Sequence, residues 1–217
     1  MKYIIVGNGD YAKMMGRYLG ETKDIQISGF TVESKYISEE MDNTPVIPAE
    51  EIYESYPPSE YYLIMGIGYR NMNHIKKQEY NRYKKMGYHF ENYIHPTAII
   101  GKSVIMGEGN NIFEGVVIQE GVKMGDGNLV YGGVLIAHEN SIGSFNSFSV
   151  KACIAGCSMI GNNCFFGANS TVRDHVSISD YTLVGAGAYV DVSTNPYGVV
   201  VSQKSVVLEG RSSLEFI

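Results

Sequence analysis

From Ile94 to Val190 every sixth residue is apolar: Ile94, Ile100, Met106, Ile112, Ile118, Met124, Val130, Ile136, Ile142, Phe148, Ile154, Ile160, Phe166, Val172, Ile178, Val184 and Val190. No polar residue interrupts the series. The residue four places after each of these is small or slim, from Ala98, Val104 and Asn110 through to Thr182 and Ala188. Glycine often follows the apolar position directly, as in Ile100-Gly101, Ile142-Gly143, Ile160-Gly161 and Val184-Gly185.

A helix repeats every 3.6 residues and a half-buried strand every two, so a period of six matches neither local element. It matches a coil of three short flat faces, in which every sixth side chain points to a common axis and stacks on its counterpart one turn later. A left-handed parallel β-helix of hexapeptide repeats is that object. The phase never slips, so roughly five uninterrupted turns of about eighteen residues are expected. A β-sandwich would instead need turn signals at roughly 8–12-residue spacing and period-2 alternation.

The first 93 residues have another rhythm. Tyr3-Ile4-Ile5-Val6 reads as a buried parallel strand, Gly7-Asn8-Gly9-Asp10 as a tight turn, and Tyr11 to Leu19 as a helix ended by Gly20. A second strand covers Ile25 to Phe30 and ends near Glu33. Ser34 to Pro58, with four prolines, reads as loop around a short helix at Ala49 to Tyr56. A third strand, Tyr61 to Gly66, leads through Gly68-Tyr69-Arg70-Asn71-Met72-Asn73 into a charged helix from about Asn73 to Met86, and Tyr88 to Tyr93 reads as a short strand feeding the coil. Strand and helix alternating, with glycine turns after the strands, predict a small Rossmann-like α/β domain over 1–93. The coil then spans 94–192. Residues 193–217, with apolar runs Val199-Val200-Val201 and Val206-Val207-Leu208, are expected to fold back as a cap over the open coil end.

A net charge of -6 gives no electrostatic footprint for nucleic acid or an anionic membrane. Cys153, Cys157 and Cys164 take different places in the six-residue frame, which suggests neither a disulfide framework nor a metal site. The opening Met1-Lys2-Tyr3-Ile4-Ile5-Val6 is too short for a signal peptide or a span, so a cytoplasmic protein is expected. The seventeen tyrosines, beside no tryptophan, suggest no function by themselves.

Three stretches could carry chemistry. Gly7, Asn8, Gly9 and Asp10 form a strand-to-helix turn of the kind that lets backbone approach a phosphate, with a helix start behind it that favours anions. The same turn could be purely structural. Glu33, at the end of the second strand, is placed to reach a ribose or base. Gly68, Tyr69 and Asn73 belong to a second such turn. Tyr69 could stack on a base, and Asn73 could cap the helix or bond the ligand. Third, His138 lies two places past an axial residue and so on the outer surface of the coil, with Glu139 beside it. An imidazole titrates near neutrality, and an adjacent carboxylate can fix its tautomer. A lone surface histidine is also commonly a bystander.

With these residues in view the chain resembles the hexapeptide-repeat nucleotide-sugar acetyltransferases, in the subgroup described as sialic-acid O-acetyltransferase-like or amino-sugar N-acetyltransferase. The likeness is carried by the Gly7 to Asp10 turn, Ile67 to Asn73, the coil entry Tyr93-Ile94-His95-Pro96-Thr97-Ala98 and the repeats. It implies a homotrimer of parallel coils, acetyl-CoA as co-substrate in the groove between neighbouring coils, no metal, and a nucleotide-linked amino sugar held by the α/β domain. It also implies that His138 is the general base with Glu139 as its acidic neighbour. Relatives usually carry a further histidine about a dozen residues later, where this chain offers Ser149 and Lys151.

On that reading the chain is an N-acetyltransferase of surface polysaccharide or glycan precursor synthesis. The amine attacks the thioester, His138 takes its proton, and a backbone N–H of the neighbouring coil stabilises the oxyanion. Ala155, Gly156, Gly167, Ala168, Gly185 and Ala186 leave amides free for the pantetheine arm, and Lys204 is placed for the CoA phosphates. Two rivals stand beside it: a sugar O-acetyltransferase, and a non-catalytic trimeric scaffold that binds a nucleotide.

Overall fold

The computed structural model describes residues 2–21, 25–37, 41, 44–204, 209 and 214. Within them the six-residue pattern closes into a left-handed coil whose strands are only two residues long and lie in three parallel sheets. In each strand the second residue points to the axis and the first points out. The axial residues form one unbroken core from Ile112 to Val190, with the Phe148 and Phe166 rings stacked at 4.7 Å.

The three faces differ in what they point outward. One, called here the docking face, runs from Tyr93–Ile94 through Asn111–Ile112, Leu129–Val130, Ser147–Phe148 and Phe165–Phe166 to Leu183–Val184. The apolar face contains Ile99–Ile100, Val117–Ile118, Leu135–Ile136, Cys153–Ile154, Thr171–Val172 and Tyr189–Val190. The polar face contains Ile105–Met106, Lys123–Met124, Ser141–Ile142, Met159–Ile160 and Ser177–Ile178.

Several of the slim positions do more than fit. Asn110, Asn128 and Asn146 form a buried ladder: Oδ1 of Asn110 accepts the N–H of Asn128 at 2.9 Å, Asn128 does the same for Asn146, and Asn146 for Cys164. Asn140 and Ser158 repeat the device at another edge. Corner amides that the sheets leave unpaired are thereby satisfied inside the coil.

The repeat does not stop at Val190 as expected. After a turn, Val199–Val200 pairs in parallel with Leu183–Val184 and adds a rung to the docking face. This rung covers one of the three open strand edges. The other apolar run of the tail, Val206 to Leu208, lies outside the described residues.

The N-terminal domain is a parallel sheet of β1 (Lys2–Val6), β2 (Gln26–Val32), β3 (Val46–Pro48) and β4 (Tyr61–Met65) in the order β3-β2-β1-β4. Its helices are α1 (Asp10–Gly20), a single turn α2 (Ile52–Ser55) and α3 (His74–Lys85). The strand β3 falls in a stretch expected to be loop. It is a three-residue edge strand ended by Pro48, a place where proline costs no ladder bond. Of Tyr88 to Tyr93, only Phe90 bridges to Leu63 before the coil begins.

This domain sits on the docking face. Tyr11, Tyr18, Tyr93, Phe113 and Tyr131 pack ring to ring, Tyr80 meets Phe145, and Tyr69 meets Phe165 at 5.0 Å. The tyrosine excess thus has a structural role, with hydroxyls that reach polar partners such as Asn111, 2.7 Å from Tyr11 Oη. Among the described residues no helix is long and apolar enough to cross a membrane.

Lys76 is the anomaly in this seam. It is buried on α3, and among the described residues its side chain donates only to the carbonyl of Gly127, at 3.4 Å. Burial pushes its ammonium down to about 7. In the unfolded chain the same group keeps its proton to about 10.4, so between these limits the unfolded state binds more protons and stability rises with pH. Lys76→Met should therefore stabilise the fold by about 1–3 kcal/mol near neutrality. Urea denaturation between about pH 7 and 9.5 should rise for the parent chain and lose most of that rise in the variant.

Candidate active site

In the order β3-β2-β1-β4, β1 has β2 on one side and β4 on the other. The C-terminal ends of β1 and β4 therefore open the crevice where ligands of parallel α/β sheets sit. The two glycine turns meet there. Gly7 has φ +112°, and a methyl group on it would lie 2.9 Å from the carbonyl oxygen of Gly66. Neither its conformation nor its surroundings admit another residue. Gly9 faces open space and caps α1 without a side-chain bond, leaving the first amides of the helix available to an anion. Asp10 is exposed in the first turn of α1, and Asn8 donates to the carbonyl of Tyr36 at 2.7 Å.

That last bond brings in residues the sequence did not single out. The turn Ser34–Tyr36 is pinned by Glu50, which accepts both the N–H and the hydroxyl of Ser34. It presents an exposed Tyr36 ring with Lys35 Nζ 4.8 Å from its centroid. Glu33, by contrast, is engaged by Lys35 at 2.7 Å and Arg82 at 3.1 Å. Its carboxylate is an anchor for this turn and α3.

The second turn is bound to the coil. Asn71, Met72 and Asn73 are three successive left-handed residues, with φ of 51°, 46° and 62°. Gly68 is open, and Tyr69 remains half exposed beside Phe165. Asn73 is a correction to the expected cap or ligand contact. It is fully buried, makes no side-chain cap, and accepts from the Ser147 hydroxyl at 2.7 Å. Asn163 holds the carbonyl of Met72 at 3.1 Å. The strained turn is thus fixed by two rungs of the docking face.

His138 and Glu139 lie on the edge between the apolar and polar faces, the edge opposite the docking face. His138 is exposed. Its ring lies across Gly156 one turn on, where a methyl group would come within 2.7 Å of Cε1 and 2.8 Å of Nε2. Its N–H donates to Oε1 of Gln119 at 3.0 Å. Glu139 is left-handed, with φ 56°, and its carboxylate lies over Gly121 one turn back. Two consecutive corner residues thus send their side chains to opposite rungs. Among the described residues, no hydrogen bond joins the His138 ring to Glu139, and the pairing expected from their adjacency is not formed.

The residues expected to line the pantetheine path fall into two groups. Ala155 and Gly156 share the edge of His138, and the N–H of Gly156 has no acceptor among the described residues. Gly167, Ala168, Gly185 and Ala186 lie on the other edge of the apolar face. There Ser202 ties the tail to the carbonyl of Ala186 at 3.0 Å, which leaves the exposed Lys204 close by. Ser149 and Lys151 belong to that edge too, and the Lys151 side chain packs on Gly133. No cluster of three or more potential metal ligands occurs among the described residues.

No protein-family model matches the chain. Its architecture is similar to that of the acetyltransferase domain of PglB from Neisseria gonorrhoeae, at 22% identity over 93% of this chain and 96% of that one, with a TM-score of 0.80. A variant of perosamine N-acetyltransferase from Caulobacter crescentus, solved with CoA and GDP-perosamine, matches at 23% identity over 93% and 94%, also with a TM-score of 0.80. WeeI from Acinetobacter baumannii matches at 17% over 93% and 97%, with a TM-score of 0.79. At these identities the likeness establishes the shared two-domain fold over nearly the full length of each chain.

The seam between turn and coil is open to test. Ser147→Ala leaves the buried oxygen of Asn73 without its donor and should cost about 1–3 kcal/mol in chemical denaturation.

Proposed function

We propose that the chain is an acetyl-CoA-dependent N-acetyltransferase that acts on the amino group of a nucleotide-linked amino sugar, in the cytoplasm, for surface polysaccharide or glycan precursor synthesis. The observation that carries this reading is the pairing, on one coil edge, of the exposed His138 imidazole with the unbonded N–H of Gly156, a residue buried against the ring. These are the two groups that acyl transfer to an amine requires. The perosamine N-acetyltransferase solved with CoA and GDP-perosamine and the PglB acetyltransferase domain, solved also with acetyl coenzyme A, share this fold and support it.

In the proposed reaction the sugar amine attacks the thioester carbonyl carbon. A C–N bond forms and the carbonyl electron pair moves to oxygen, where the Gly156 N–H donates to it. His138 removes the ammonium proton. The tetrahedral adduct then collapses with loss of the C–S bond, and the thiolate of CoA leaves and takes up a proton. An amine is nucleophilic enough that no covalent enzyme intermediate is required. Glu139, turned to the other rung, acts on His138 only through the local field.

Topology supports a site shared between copies. The α/β domain covers the docking face and reaches both flanking edges, through Tyr18 to Glu114 and Lys84 to Glu108. His138 occupies the third edge. A crevice on one side of the prism cannot deliver its ligand to the edge behind it in the same chain, so a neighbouring copy must supply one of the two. The apolar face, bordered by the His138 edge, is fitted for that contact. Its outward column is Ile99, Val117, Leu135, Cys153, Thr171 and Tyr189, with Ile99 65% and Tyr189 59% exposed in the single chain. A homotrimer with these columns turned toward its axis brings the His138 edge of one coil beside the glycine-rich edge of the next.

Acetyl transfer assayed with a panel of nucleotide-linked amino sugars and their hydroxyl counterparts should favour the amine. His138→Ala should lower kcat/KM by about 10²–10⁴, and retention of full activity sinks the base assignment. A lack of CoA binding in calorimetry sinks the enzyme reading altogether.

Sharing of the site is tested by complementation. Gly9→Glu places a negative side chain in open space at the phosphate turn, and that variant and His138→Ala should each be inactive. Co-refolded trimers should recover roughly a quarter of the sites. No recovery rules out a site built across copies.

A further inference from the structure

Along the edge between the polar and docking faces, and once on the His138 edge, a corner N–H is capped from the turn above. Glu120 accepts from Lys102, Asp126 from Glu108, Ser144 from Asp126, Asn162 from Ser144 and Asp180 from Asn162, at 2.7–3.0 Å. In each case the capping side chain belongs to the residue eighteen places later and reaches down to the rung below. For His138 that residue is Gly156, which has no side chain. Two things follow in the structure. The His138 ring occupies the space where a capping side chain would lie, pressed on the Gly156 backbone. The N–H it leaves uncapped is taken from the opposite direction by Gln119, nineteen residues earlier.

We infer that Gly156 and Gln119 are a pair of positioning residues for the His138 imidazole: the glycine provides the floor on which the ring rests, and the glutamine holds the backbone from which it projects. The inference rests on the reading of His138 as general base. Gly156 is not in the positive-φ region that would demand glycine for its backbone, and its neighbours Ala155 and Cys157 carry side chains. Close approach of the imidazole therefore accounts for the missing side chain. Gln119 is exposed and has no part in the core, so its removal disturbs the ring without unmaking the fold.

The test compares Gly156→Ala, Gln119→Leu and Gln119→Glu with the parent chain, using protein labelled with ¹³C at histidine Cε1. His138→Ala identifies the His138 resonance, and thermal melts verify the fold. Gly156→Ala and Gln119→Leu should each move that resonance. Each should also lower kcat by about tenfold while KM for acetyl-CoA and for the nucleotide sugar changes less than about twofold. Gln119→Glu keeps an acceptor oxygen and should retain most of the turnover. An unmoved resonance in both variants overturns the proposal. So does a fall in kcat for Gly156→Ala with the resonance unmoved, which assigns that glycine to the acyl group alone. Should Gly156→Ala fail to fold, Gln119→Leu decides by the same two readouts. If His138→Ala keeps its turnover, the base assignment fails, and the resonance shifts alone then decide whether these residues place the ring.

Discussion

The ladder that joins each rung to the next fixes nearly everything else in this molecule. Because strands are two residues long and, from Tyr93 to Val190, every face pairs in parallel with a step of eighteen, each residue of these turns lies above the one eighteen earlier and below the one eighteen later. No rung can shift by one residue without turning its axial side chain outward. Side chains far apart in sequence are thereby neighbours by arithmetic, and a single glycine acts on a residue a full turn away. Gly156 above His138, Gly121 beneath Glu139 and Gly127 beneath Phe145 are three uses of the same relation.

The second consequence is a division of the surface by face. One face points Tyr93, Asn111, Leu129 and Ser147 outward, all buried under the α/β domain. Another points an aliphatic and aromatic column into the open, and the third mixes Lys123 and Ser141 with exposed Ile105 and Met159. The hexapeptide period therefore encodes three different solvent relations at once, one in each third of its positions. Attachment of the α/β domain to one face places the opposite edge beyond its reach.

The coil was legible because its signal is collective: seventeen concordant positions outweigh any local ambiguity. The two glycine turns were legible for the opposite reason, since Gly7 sits where both φ and the approach of Gly66 exclude a side chain. What escaped was set by contacts that sequence spacing alone did not reveal. Val46–Pro48 is too short for any period and exists because β2 offers an edge. The asparagine ladder looked merely slim, since its function is seen only when rungs are stacked. Glu33 and Asn73 are residue types suited to ligands, yet Arg82 and Ser147 claimed them. The nearness of Glu139 to His138 along the chain was misleading because alternate backbone conformations at a corner send neighbours to different rungs.

A site that transfers an acyl group needs its base held to within a fraction of an ångström, but an exposed corner of a β-helix offers little packing to hold a ring. On the proposed reading, this chain meets the difficulty without burying His138. Omitting a side chain from the rung above lets the imidazole lie flat on main chain, which cannot change rotamer, while a side chain from the rung below takes up the backbone donor so exposed. The floor is as stiff as the ladder of which Gly156 is part. Placement of the imidazole is thus drawn from the same eighteen-residue register that builds the core, and the ring stays exposed.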